Sequence, residues 1–199
     1  EHRVGIHGID LYAIWESLDA VETFYQTYLP GSAARVRHLY RFLRGFGGDY
    51  QAYADYVHRT GYSAQAAVGW VARELDARYR YAAPPEREVL FEALQHARVV
   101  ESGERYLRGM VRRGPESWNV RAHHFERSLA RLLAHYGPGS RAIVWAHNPH
   151  VGDARVTALR ALPELARRYY AQSLPSGEPI RSPGDTEAFL KSRMRHLGH

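Results

Sequence analysis

RAIVWAH, residues 141–147, is the stretch on which the fold of this chain turns. Ala142 to Ala146 form a short unbroken apolar run directly after the turn residues Gly137-Pro138-Gly139. A run of that length, bounded by Gly and Pro, has the composition of a central strand buried on both faces. If it is a strand, the irregular segment that follows, His147-Asn148-Pro149-His150-Val151-Gly152-Asp153-Ala154-Arg155, sits at the carboxyl end of a sheet. Ligands bind in that zone in open α/β folds.

Working outward, RVGIHGIDLY (3–12) carries Val4, Ile6, Ile9 and Leu11 in partial alternation and reads as a second strand. Between the two the pattern is helical. SLDAVETFYQTYL (17–29) has Ser17 as a candidate N-cap and stops at Pro30-Gly31, and residues 32–46 place Val36, Leu39, Tyr40 and Leu43 on one face. Asp49 and Gly61 bracket another short helix, and residues 63–81 repeat Ala67, Trp70, Val71 and Leu75 at helical spacing. The longest helix is expected over 85–112, with Leu90, Leu94, Ala97, Val100, Leu107 and Met110 as its stripe. RRGPESWN (112–119) reads as a loop, with Ser117 or Asn119 capping the next helix, and a further helix is expected over 161–172.

The expected fold class is therefore α/β: a few-stranded sheet with large helical insertions, helix-rich, an incomplete α/β/α domain over residues 1–172. Residues 173–199 read as a Pro/Gly/Ser-rich linker with a weak C-terminal helix. Two strands make a poor independent sheet. The opening at Glu1, running at once into an apolar segment, adds to the expectation that sequence is missing upstream.

Composition narrows the function. The chain has no cysteine, which excludes disulfides, thiolate metal sites and a cysteine nucleophile. No apolar run approaches the roughly 18 residues of a membrane span, and no signal-peptide pattern opens the chain, so a cytoplasmic location without membrane contact is expected. The formal charge of +6 is almost wholly arginine, with Lys191 the single lysine. Those arginines are scattered among Glu and Asp instead of forming a basic run, so no nucleic-acid partner is expected.

The chemistry concentrates in the turn. Pro149 disfavours helical geometry at Asn148, so His147 and His150 do not share a helix face. Gly152 frees the backbone, and Asn148, Asp153 and Arg155 can orient an imidazole or a substrate oxygen. A histidine near its ordinary pKa of about 6.5 accepts a proton well at neutral pH. Two of them can divide the work, one taking a proton from water and one stabilising developing negative charge. Three readings stay open from local pattern alone: histidines that satisfy loop carbonyls, a divalent metal site, and a catalytic turn. The spacing lacks the H-E-x-x-H arrangement on a helix that would argue for zinc, and no cofactor is expected. The nucleophile elbow, the phosphate loop and the dinucleotide fingerprint are all absent. In SWNVRAHHFERSL (117–129), Trp118, Asn119 and Arg121 are candidate substrate-binding residues, the arginine as partner of an oxyanion or carboxylate. The bland reading of that segment is a capped helix with Arg121 in solvent. His124, four residues after Val120, falls near the apolar face.

Four segments, GIDLYAIWESLDAVETFY (8–25), ALQHARVVESGERYLRGM (93–110), SWNVRAHHFERSL (117–129) and AIVWAHNPHVGDARVT (142–157), taken in order, resemble the erythromycin esterase family. The resemblance implies an α/β hydrolase that opens a macrolide lactone or related ester with activated water, without metal or covalent intermediate. It places His147 and His150 in a deep catalytic cleft. It also implies that the family's general-base histidine and acidic partners lie in an N-terminal half, with which this chain would associate. Ala122 stands where the family usually carries Asp, and Pro149 where Ser or Thr is commoner. The competing reading is a non-catalytic module, derived from that family, that binds a small molecule or a protein. A weaker third is a helical protein that binds RNA or phosphate.

Overall fold

The computed structural model describes residues 5–110 and 115–146, and the side chains of Pro115 and Glu116 fall outside that description. The chain divides into two compact units, Glu1–Ala142 and Ile143–His199. Of the second, only residues 143–146 are described.

The first unit is helical. α1 runs Ile14–Tyr28, α2 Pro30–Arg44, α3 Tyr50–Thr60, α4 Gln65–Tyr81, α5 Glu86–Met110 and α6 Pro115–Tyr136. Among the described residues there is no strand, which overturns the expected α/β fold. Both candidate strands fail for one reason. A strand is a pairing state, and half of its backbone groups are unmet without a neighbour. Residues 5–10 and 141–146 run irregularly, with Ile6 and Ile143 each 99% exposed and Trp145 96% exposed. Ile6, Ile143 and Trp145, which would suit a sheet interior, are here laid in solvent.

The helices follow the local signals closely. Asp49 caps α3, its side chain accepting from the Ala52 amide at 2.9 Å, and Gly61 ends it in the left-handed region at φ 71°. Pro30 occupies the first turn of α2, where its missing N–H costs nothing. Two caps differ from expectation. Ser17 lies inside α1, buried, with its hydroxyl 3.1 Å from His96 Nδ1. Ser117 and Asn119 lie inside α6, which begins at Pro115, so part of the expected 112–119 loop is helix.

α5 is the axis of the bundle and packs against α1, α3, α4 and α6. Its buried stripe is Phe91, Ala93, Leu94, Ala97, Val100, Gly103, Glu104 and Leu107. Gly103 permits the closest approach. A Cβ there would lie 2.5 Å from Ile14 Cγ1 and 2.6 Å from Ile14 Cδ1, so α1 and α5 touch where no side chain intervenes. Glu104 is 1% exposed and fully engaged: it accepts from Tyr53 OH at 2.7 Å and from Arg108 Nε at 2.9 Å. Tyr53 OH in turn accepts from the Ala64 amide at 2.9 Å, tying the α3–α4 connection to α5. No helix among the described residues is long and apolar enough to cross a membrane.

Candidate functional site

The site is built from α6 inward. Arg121 lies in its second turn and meets Asp10, which precedes α1. Its Nε donates to Asp10 Oδ1 at 3.0 Å and its Nη2 to Asp10 Oδ2 at 2.5 Å. The Leu11 amide also donates to Asp10 Oδ1, at 2.7 Å, which fixes the carboxylate against its own backbone. The guanidinium lies 4.5 Å from the centre of the Tyr12 ring and 5.4 Å from that of Phe125. Its charged form is favoured first by the hydrogen bond to Asp10. Tyr12 OH and Tyr106 OH are 3.2 Å apart, and burial, then the bond to Tyr12, pushes Tyr106 up to about 12. At neutral pH the ion pair lies beside the neutral phenol of Tyr106.

Asn119 faces elsewhere. Residues two apart on a helix point to nearly opposite sides, so Asn119 and Arg121 do not converge. Asn119 lines a groove of about 1130 Å³ bounded by α3, α4, α5 and α6. Val120, His123 and His124 share its α6 wall. His123 is exposed, with Glu126 Oε2 at 3.4 Å from its Nδ1. His124 is 3% exposed, with Ser128 Oγ 3.4 Å from its Nε2. Burial, then the nearby Arg131 charge, lowers His124 to about 4, so its imidazole is neutral at pH 7. Trp118 is half-buried at the start of α6.

Behind the groove wall Arg131 donates from Nε to Gln95 Oε1 at 2.9 Å and from Nη2 to Ser128 Oγ at 2.9 Å, both neutral acceptors. Burial, then Arg98 and Arg127, lowers it to about 10. Gln95 Nε2 is a buried donor with no partner among the described residues. Two arginines thus sit in contrasting environments on one helix, Arg121 against a carboxylate and Arg131 among other cations.

Of the residues singled out from sequence, Trp118, Asn119 and Arg121 are described; Asn119 lines the groove, and Arg121 meets Asp10 instead. His147, Asn148, His150, Asp153 and Arg155 lie outside the described residues, as do residues 173–199. Among the described residues no three His, Asp or Glu side chains converge to hold a metal ion. Asp10 escapes a reading of the sequence alone. It stands 111 positions from Arg121, and only its place in GIDLY, at the end of an apolar segment, distinguishes it.

Comparison with known proteins gives short matches and a long one. A UPF0758 protein of Marinobacter nauticus is 35% identical over 78 residues, covering 36% of this chain and 35% of that protein. One from Pseudomonas syringae pv. tomato is 32% identical over 77 residues, covering 36% and 34%. The chain thus spans about a third of the length of these relatives. No solved structure matches. The erythromycin esterase family model matches residues 1–168, which takes in α1 to α6 and both His147 and His150. The chain belongs to the erythromycin esterase family.

Proposed function

We propose that this chain contributes to a carboxylic-ester hydrolase in which water, activated by histidine, opens a lactone or related ester. The observation that carries the reading is the family match across residues 1–168, which includes His147 and His150. In the reaction a base takes a proton from water as the water oxygen bonds to the ester carbonyl carbon. The carbonyl electrons move onto oxygen. The tetrahedral oxyanion then collapses, the carbon–oxygen bond of the ester breaks, and the departing alkoxide takes up the proton.

His147 and His150 orient the carbonyl and the water and donate to the oxyanion. Removing one such donor typically costs about two to three orders of magnitude in rate. Asn119 lines the groove of the first unit and offers it an amide side chain. Arg121 plays a positioning part instead, since both prongs of its guanidinium are held by Asp10 and an aromatic ring covers its face.

The test is mass-spectrometric detection of water addition to a 14-membered macrolide lactone and to a panel of simple esters. The chain and its His147→Ala variant are compared at equal helical content. Hydrolysis by the parent that falls at least about a hundredfold in the variant is the expected result. Equal rates in the two proteins remove His147 from the mechanism. No hydrolysis of any ester overturns activity for this chain.

A further inference from the structure

The groove between α3–α4 and α5–α6 is unusual in its charge. Five arginines line it, Arg73, Arg98, Arg105, Arg108 and Arg127, against two glutamates. Both glutamates are already committed. Glu104 is buried and accepts from Arg108 and Tyr53, and Glu101 accepts from Arg98 at 2.7 Å. Arg98 also reaches Asp76, at 3.5 Å. Arg73, Arg105 and Arg127 have no ion pair among the described residues, and they come from three different helices, α4, α5 and α6.

We infer that this groove binds a small anionic molecule through Arg73, Arg105 and Arg127, its carboxylate or phosphate oxygens taking the place of the missing counter-charges. The inference goes beyond the ester-hydrolase reading, since it gives the groove a ligand class of its own within the first unit. The geometry supports it. Arginines that line one groove from separate helices supply several two-pronged donors to one volume, which suits planar carboxylates and phosphates. A volume of about 1130 Å³ is ample for a small molecule. A concave wall of one sign also concentrates oppositely charged ligands.

The surroundings report the same field. Arg131, behind the wall, is depressed by burial and by Arg98 and Arg127, with Glu101 and Asp76 opposing, and His124 is held neutral by burial and by Arg131, with Asp10 opposing. Positive charge accumulates on this side of the bundle faster than its own acids offset it.

Titration calorimetry at low ionic strength tests the proposal, with citrate as the carboxylate probe, inorganic pyrophosphate as the phosphate probe and oligo-uridylate as the nucleic-acid probe. The expected result is saturable binding of citrate or pyrophosphate that weakens as salt rises. Whichever probe binds more tightly identifies the acid group. Replacing Arg73, Arg105 and Arg127 together by Gln, all exposed side chains, weakens binding at least about tenfold with helical content unchanged. Replacing Arg37 and Arg41, exposed on α2 outside the groove, by Gln leaves it within about twofold. Absence of saturable binding by either small anion overturns the proposal, as does equal loss in the α2 variant. Tighter binding of the oligonucleotide than of both small anions overturns it in favour of a nucleic-acid groove. None of these readouts requires hydrolysis, so an inactive protein that binds citrate or pyrophosphate leaves the anion site standing and removes only the esterase reading.

Discussion

Arg121 and Asp10, 111 residues apart, are joined by two parallel hydrogen bonds of 3.0 and 2.5 Å. The pair fastens the segment before α1 to α6, and it does so in a half-exposed setting, with the Asp10 side chain 42% accessible. Exposed ion pairs are worth little, but two-pronged geometry with a backbone amide on the same carboxylate raises the value. Asp10→Asn should therefore cost about 1 kcal/mol, measured by urea denaturation at pH 7. A loss indistinguishable from zero would show that the pair only decorates the surface.

His124 predicts a pH dependence. Its folded pKa of about 4 lies below its ordinary 6.5, so the unfolded chain binds the proton more readily than the folded one. Stability is then full above about pH 6.5 and declines as pH falls toward 4, by up to about 3 kcal/mol from this group. His96 is shifted in the same direction by burial and adds to the slope. His124→Gln should flatten the urea midpoint between pH 7 and pH 4.5. An unchanged slope would assign the acid sensitivity elsewhere.

Gly103→Ala drives a methyl group into Ile14 where α1 meets α5. Overpacking of this kind costs typically about 1–3 kcal/mol. The melting temperature of the variant should fall accordingly, and Ile14→Val in the same background should recover part of the loss. A variant as stable as the parent would mean that α1 shifts freely along α5.

Tyr53→Phe removes one hydroxyl, orphans the Ala64 amide and leaves buried Glu104 with Arg108 alone. Leaving buried polar groups unmet costs roughly 1–3 kcal/mol each. Hydrogen exchange should quicken at Ala64 before it does so in the middle of α5. Uniform exchange across both would contradict the tie between the α3–α4 connection and Glu104.

The helices are legible in the sequence because their signals are local. Asp49, Gly61, Pro30 and the stripe through Leu94, Ala97, Val100 and Leu107 depend on neighbours three or four positions away. The expected strands mislead because the apolar content of residues 3–12 and 141–147 says only what those residues would favour beside a sheet, and pairing is a long-range property. The same limit hides Asp10, whose meaning depends on a residue 111 positions along the chain. It also hides the groove. Arginines read along the chain are diluted among acids, yet helical packing gathers Arg73, Arg105 and Arg127 around one volume while Glu101 and Glu104 are consumed by their own neighbours.

α5 touches four of the other five helices and carries Gly103, Glu104 and Arg105 in succession. A helix gripped on so many sides has no private degree of freedom. It cannot rotate to relieve strain on α1 without carrying Glu104 away from Tyr53 and Arg105 out of the groove. The bundle should accordingly melt as one body, the anion-facing wall and the seat of α1 giving way together, and a ligand seated among those arginines would be felt as far away as Ile14.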